Sequence, residues 1–364
     1  MPYDNNDYLS RHFQTTAIDL GDKLDELISM SVPPGSPNQA LYREMLMTVV
    51  RMAEADRNRW DAKIMLQTLR EMENAFSMLE QFKRRRKVTV FGSARTPTDH
   101  PLYLLARELG KLFTHHDLMT VTGAGDGIMA AAHEGAGLEH SLGLNIALPF
   151  EQRANEVVHG TGNLLSFHFF FLRKLFFVKE ADAMVLFPGG FGTLDEALEV
   201  LTLIQTGKSP IVPVVMIDVE EGRYWKDFLH FVRQQLEDNR YILPSDMSLI
   251  KLVSSAEEAA VEITHFYRNY HSSRWLKGDF AIRMNRPLTT HALQQLHEGF
   301  GDLCVEGGFS QQPYCELERD EPEFCHLTRL TFRFNGRDQG RLRQLIDFIN
   351  LPQNWQREGA TGSV

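Results

Sequence analysis

An apolar run, Ala183–Phe187, stops at Pro188, and three glycines follow within four residues: Gly189, Gly190 and Gly192. An amphipathic stretch then runs from Leu194 to about Gln205. This order predicts a buried strand, a tight turn and a helix. Glycine lets a backbone approach a ligand closely, and a helix N-terminus offers unpaired N–H groups with a partial positive charge. The stretch is therefore a candidate anion site, most naturally for phosphate, with Glu196 in the first helical turn. The plainer alternative is a strand-to-helix turn whose acids only suit the helix dipole. Such a turn needs one glycine, seldom three.

The same rhythm surrounds it. Strands are expected at Val88–Phe91, Leu118–Thr122, Leu142–Leu148, Leu164–Phe169, Ala183–Phe187, Ile211–Ile217 and Leu249–Val253. Helices are expected at Pro101–His115, Ile128–Leu138, around Arg173, at Tyr224–Leu236 and at Ala256–Tyr270. Apolar strands alternating with amphipathic helices define a parallel sheet covered on both faces. The expected fold class is α/β: a Rossmann-like, doubly wound parallel sheet of about seven strands over residues 86–271. Ligands in such sheets bind at the carboxyl ends of the strands.

The flanks differ. Residues 1–37 form an arm and a linker closed by Pro33, Pro34, Gly35 and Pro37, with a short helix over Ala17–Met30. Residues 38–85 form a helical region. Leu41, Met45, Val49 and Met52 mark one helix; Met65, Leu69, Met72, Phe76 and Leu79 mark a second with a heptad-like seam. Packing on the main domain and pairing at a dimer interface both fit that seam. Lys83–Lys87 is a run of five cations, expected to be a solvated helix end that suits the dipole. Residues 272–352 form a small α+β appendage, with strands at Phe280–Met284 and His326–Phe334 and helices at Thr290–Phe300 and Arg341–Ile349. Residues 353–364 are a tail.

Composition excludes some functions. A net charge of −10 argues against non-specific nucleic-acid binding. The three cysteines, Cys304, Cys315 and Cys325, show no CxxC spacing and predict a reduced, cytoplasmic setting. The N-terminus lacks the apolar core of a signal peptide. The longest apolar stretch, Leu164–Val178, is broken by His168, Arg173 and Lys174, so no membrane span is expected. No metal-ligand spacing is present; His133 and His140 lack an HExxH frame and are expected to be ordinary helix-surface residues.

Three glycine-bearing turns follow three strands: Gly92-Ser93, Gly123 to Gly127 (with Gly125) and Pro188 to Thr193. The fold should bring them to one edge. GxGxG at 123 is not the full dinucleotide fingerprint, and no acid ends the following strand to take a ribose diol. A mononucleotide or sugar phosphate fits better than NAD. Arg173 and Lys174 interrupt a phenylalanine-rich segment, and a cation there needs a partner or a ligand. A structural ion pair between Arg173 and Glu196 is one way to meet that need.

GDGIM at 125–129, LPFEQ at 148–152, Arg173-Lys174 and PGGFGTLDE at 188–196 resemble the LOG ("lonely guy") family. Its members are cytokinin riboside 5′-monophosphate phosphoribohydrolases and bacterial nucleotide 5′-monophosphate nucleosidases, often mislabelled lysine decarboxylases. The resemblance covers residues 86–270 or so. It implies Arg173 and Glu196 as the catalytic pair. It implies substrate contacts from Gly92, Ser93, Gly123, Gly125, Gly127, Met129, Glu151, Lys174, Pro188, Gly189, Gly190, Phe191, Gly192, Thr193, Leu194, Asp195 and Thr202. It also implies no metal, no cofactor, an AMP-like partner and a homodimer or higher homo-oligomer. Ala124 and Asp126 depart from the consecutive glycines of short members, and the segment between Glu151 and Arg173 is longer here.

The expected reaction is hydrolysis of the N-glycosidic bond of a purine or cytokinin-like nucleoside 5′-monophosphate, giving free base and ribose 5-phosphate. Two other classes remain. One is a non-catalytic nucleotide sensor or carrier on the same fold. The other is single-stranded DNA handling, which the acidic charge and the lack of a basic, aromatic stripe oppose.

Overall fold

A computed structural model describes residues 18–148, 153–314 and 316–356. Residues 1–17 of the expected arm and linker, the end of the tail, Glu151 and Cys315 lie outside the described residues. Two compact units divide at Ala75.

The first unit carries α1 (Ile18–Ser31), α2 (Gln39–Glu54) and most of α3 (Arg59–Leu79). Arg43 of α2 reaches Asp25 of α1 at 2.6 Å, an exposed pair that contributes little to stability. Met47 of α2 is buried, whereas Leu41, Met45 and Val49 of its predicted apolar face are exposed.

The second unit is built on seven strands: β1 (Lys87–Phe91), β2 (Met119–Thr122), β3 (Ser141–Ile146), β4 (Leu164–Phe167), β5 (Ala183–Leu186), β6 (Val214–Ile217) and β7 (Ile250–Val253). All neighbouring pairs are parallel, in the order β4-β3-β2-β1-β5-β6-β7. This is the expected doubly wound sheet. Successive residues of β1, β2, β5 and β6 are buried without alternation, because both faces are covered. Tyr103, Leu109 and Phe113 of α4 (Pro101–His115), Ile128 and Ala132 of α5 (Ile128–Ala136), and Ile263 of α9 (Ala256–Phe266) join Val88, Val90, Val185 and Ile217 in one apolar cluster. Elsewhere α6 (Phe170–Glu180) meets Phe91 and Phe167 through Phe177 and Phe176. Helices α7 (Phe191–Gln205) and α8 (Tyr224–Phe231) follow β5 and β6. Strand order reverses between β1 and β5, the place at which sheets of this class bind their ligands.

Two expectations need correction. Lys83–Lys87 is a solvated helix end only in part: Lys83 and Arg84 are exposed, but Arg85, Arg86 and Lys87 are not free cations in water. Helix α3 stops at Leu79, and Lys87 is the first residue of β1. Lys87 is buried against Glu180, Arg86 pairs with Asp182 and covers the Tyr267 ring, and Arg85 reaches Asp117 and the Glu139 carbonyl. These last three cations tie the amino end of the sheet together.

The helix expected over Ala256–Tyr270 ends at Phe266, and Tyr270–Leu276 is strand β8. The reason is long-range: Asn350 Oδ1 accepts the N–H groups of Asn269 and Tyr270 at 2.8 Å and redirects the chain. Helix propensity does not see a partner 80 residues away.

Strand β8 opens a four-stranded antiparallel sheet, ordered β10-β11-β9-β8, with β9 (Asp279–Met284), β10 (Ser310–Gln312) and β11 (Thr328–Phe332). Two of these strands, β8 and β10, were not expected. Lys277 and Gly278 both take positive φ and turn the β8–β9 hairpin. Helices α10 (Thr290–Phe300) and α11 (Gln339–Ile349) complete the region. Glu318 is fully buried between Arg283 and Arg329, at 2.6 and 2.7 Å.

Candidate active site

The three glycine turns do meet at the carboxyl edge of the large sheet, and hydrogen bonds lace them together. Ser93 N–H donates to the Pro188 carbonyl at 3.1 Å, and Ile128 N–H donates to the Ser93 carbonyl at 3.1 Å. Asn155 N–H donates to the Ala124 carbonyl at 2.8 Å, and its side-chain amide donates to the Gly125 carbonyl at 3.2 Å. Asn155 is itself held by His133, which is fully buried rather than on the helix surface as expected, and which also contacts the Thr122 hydroxyl at 3.2 Å. Burial pushes the His133 imidazole down to about 4, so it is neutral at pH 7. Ala124 sits at φ 58°, a left-handed conformation that costs a non-glycine residue energy and that this network holds.

Gly189 is required where it stands: a Cβ there would overlap Thr193 Oγ1. A Cβ at Gly123 would likewise strike the Arg173 guanidinium, with Met129 Sδ beside it. The second turn thus lies directly against the expected catalytic arginine. Helix α7 begins at Phe191 with Gly190 as its N-cap, and Thr193 is buried in its first turn.

Glu196 lies one turn further on and is only 6% exposed. Its Oε1 is 3.9 Å from Lys174 Nζ, and its Oε2 finds no hydrogen-bond partner among the described residues. Burial raises its pKa to about 7; Lys174 and Arg173 oppose the rise, while Glu199 and Asp195 add to it. Lys174 instead takes Asp195 at 2.8 Å and Glu199 at 2.5 Å. Burial alone would lower its pKa, but those two hydrogen bonds and the field of Glu196 carry it above the usual lysine value.

Arg173 makes no ion pair with Glu196 closer than 4 Å. Its Nε donates to the Leu144 carbonyl of β3 at 3.0 Å, and its guanidinium faces the Phe177 ring at 5.1 Å. Burial lowers its pKa and the charge of Glu196 opposes that. A guanidinium held by one carbonyl and one ring keeps donors free for a ligand.

Gly92, Ser93, Gly123, Gly125, Gly127, Met129, Arg173, Lys174, the Pro188–Asp195 segment and Glu196 therefore gather at one edge. Thr202 does not share their surroundings. It is exposed, about three turns along α7, and its hydroxyl donates to the Leu198 carbonyl. Phe191 is 93% exposed. Sequence reasoning missed Asn155, His133, Glu199 as a partner of Lys174, and Tyr224, whose hydroxyl donates to the Gly189 carbonyl at 2.7 Å. None belongs to a local motif; only the topology brings them in.

Fold and site together define an α/β domain of the doubly wound class, with a buried acid, an arginine and a lysine beside a glycine turn. Residues 126–263 match the family model described as possible lysine decarboxylase. A probable cytokinin riboside 5′-monophosphate phosphoribohydrolase of Arabidopsis thaliana is 27% identical over 193 residues, 51% of this chain and 92% of its own length. A second such enzyme of that plant is 34% identical over 94 residues, but those cover 26% of this chain and 42% of the relative. The resemblance to the LOG family is thereby borne out over the central α/β domain. Among solved structures, the molybdenum cofactor carrier protein of Chlamydomonas reinhardtii aligns at 18% identity over 48% of this chain and 94% of its own, with a TM-score of 0.33. No described helix is long and apolar enough to cross a membrane.

Proposed function

We propose that the chain hydrolyses the N-glycosidic bond of a nucleoside 5′-monophosphate, of purine or cytokinin-like base, to free base and ribose 5-phosphate. The observation that carries the reading is Glu196: a buried carboxyl with one unpartnered oxygen, two cations near it, and a glycine turn one helical turn away. The activity named for the relatives is of this kind.

The transition state of glycoside cleavage is oxocarbenium-like. A carboxylate beside C1′ stabilises that charge and orients or deprotonates the attacking water. Glu196 fills this role in its ionised form. Arg173 and Lys174 hold the substrate, and Lys174 keeps Glu196 ionisable near pH 7. The amides of the 188–193 turn and the N-terminus of α7 take the 5′-phosphate, with Thr193 adding a hydroxyl. Binding the remote phosphate positions the scissile bond, so a free nucleoside is a poor substrate.

A lysine decarboxylase reading is disfavoured by Lys174. Its ammonium is paired with Asp195 and Glu199 and kept protonated, the opposite of what a Schiff-base lysine needs. The decisive experiment is a panel of 5′-monophosphates incubated with the protein, with chromatography for free base. Release of base with stoichiometric ribose 5-phosphate supports the reading; binding without release leaves a carrier in its place.

A further inference from the structure

We propose that Tyr224 is a positioning residue for the 188–193 turn, holding the Gly189 carbonyl away from a bound phosphate. The inference rests on the phosphate-binding part of the function proposed above. A backbone anion cradle works only when its carbonyl oxygens, which carry partial negative charge, are turned outward.

In this turn every such carbonyl is tied. The Pro188 carbonyl accepts from Ser93 N–H at 3.1 Å. The Gly190 carbonyl accepts from Thr193 and Leu194 N–H at 3.1 and 3.3 Å. The Gly189 carbonyl accepts from the Tyr224 hydroxyl at 2.7 Å. With these bonds made, the amides of Gly189, Gly190, Phe191 and Gly192 have no backbone acceptor among the described residues. They are the donors that remain for an anion.

The three ties are not equivalent. Two come from backbone N–H groups that the β1 turn and the start of α7 supply. The third comes from a side chain 35 residues away, at the start of α8. It restrains the peptide between Gly189 and Gly190, the one peptide in the turn flanked by glycine on both sides. Glycine on both sides makes that peptide easy to flip. A flip would turn the Gly189 oxygen into the cradle and its successor's N–H out of it. Tyr224 is well placed to prevent this. Its ring packs edge-on against fully buried Trp225, with centroids 4.7 Å apart. Burial also raises its phenol above the ordinary tyrosine value, so the hydroxyl stays a donor at neutral and mildly alkaline pH.

The test is Tyr224→Phe in the full chain, which removes one oxygen and keeps the ring. Binding of ribose 5-phosphate is measured by calorimetry, alongside KM and kcat for AMP and the thermal midpoint. The expected result is roughly tenfold weaker ribose 5-phosphate binding and a matching rise in KM. The thermal midpoint and kcat at saturation stay near wild type, a split that general loosening of the fold would not produce. Equal affinity in the two proteins overturns the proposal, as does a wild-type protein that binds no ribose 5-phosphate. If the wild type binds ribose 5-phosphate, the variant binds it more weakly and neither releases base, the hydrolase reading falls and this assignment stands.

Discussion

Lys174 Nζ stands 3.9 Å from Glu196 Oε1, beyond hydrogen-bonding distance, while Asp195 and Glu199 hold it at 2.8 and 2.5 Å. The lysine is anchored by two neighbours of the proposed catalytic acid rather than by the acid itself. Glu196 feels its charge without spending a lone pair on it, which leaves the carboxyl free for the role proposed for it.

Glu196→Gln should reduce base release from a nucleoside 5′-monophosphate by about 10²-fold or more, the usual worth of a positioned acid–base group. AMP binding should remain measurable, since the phosphate turn is untouched. Parallel turnover and calorimetry decide it; unaltered turnover would sink the mechanism.

The same carboxyl sets a pH dependence. In the proposed mechanism ionised Glu196 is the active form, and burial raises its pKa to about 7, so kcat/KM should rise with pH through about 7. Lys174→Met removes a charge that holds the Glu196 pKa down, so the rising limb should move upward by about one unit or more. Stability runs the other way. A carboxyl raised on folding contributes stability below its unfolded pKa near 4.5 and loses it as pH climbs through 7. Glu196→Gln should therefore stabilise the protein at pH 8 relative to wild type, by on the order of 3 kcal/mol at most, and hardly at pH 4. Denaturant melts at the two pH values measure the difference.

Gly189→Ala puts a methyl group against Thr193 Oγ1 and, nearby, Ser93 N. The turn must shift, at a cost of about 1–3 kcal/mol. Affinity for ribose 5-phosphate should drop more than overall stability does. A calorimetric titration beside a thermal melt separates the two effects.

Glu318→Ala would take the only carboxylate from buried Arg329 among the described residues and leave Arg283 with Glu321 alone. Breaking a buried ion network in this way costs about 3–5 kcal/mol. A thermal midpoint within a degree of wild type would show that the network is not needed to hold the small sheet.

Much of the large sheet was legible because its strands are short apolar runs separated by amphipathic helices, a pattern that survives without any partner being named. The small sheet was less so. Strand β8 begins where two asparagines meet across 81 residues, and β10 is three polar residues paired with β11 beside them. The second half of the cationic run was misread because charge along a sequence does not show that Glu180 and Asp182 await Lys87 and Arg86.

By itself the sequence determined the doubly wound class, the three glycine turns and the residue types of the site: an arginine, a lysine and an acid after a glycine turn. Those depend on hydrophobic period, backbone freedom and side-chain chemistry, which are local. Only the tertiary structure decided that Lys174 is anchored by Glu199, that Arg173 rests on the Leu144 carbonyl, that His133 and Asn155 clamp the second turn, and that Tyr224 reaches the third. Each of these is a contact between segments far apart in the chain, and a hydrogen bond's partner is set by where the sheet carries both ends rather than by the residues beside it.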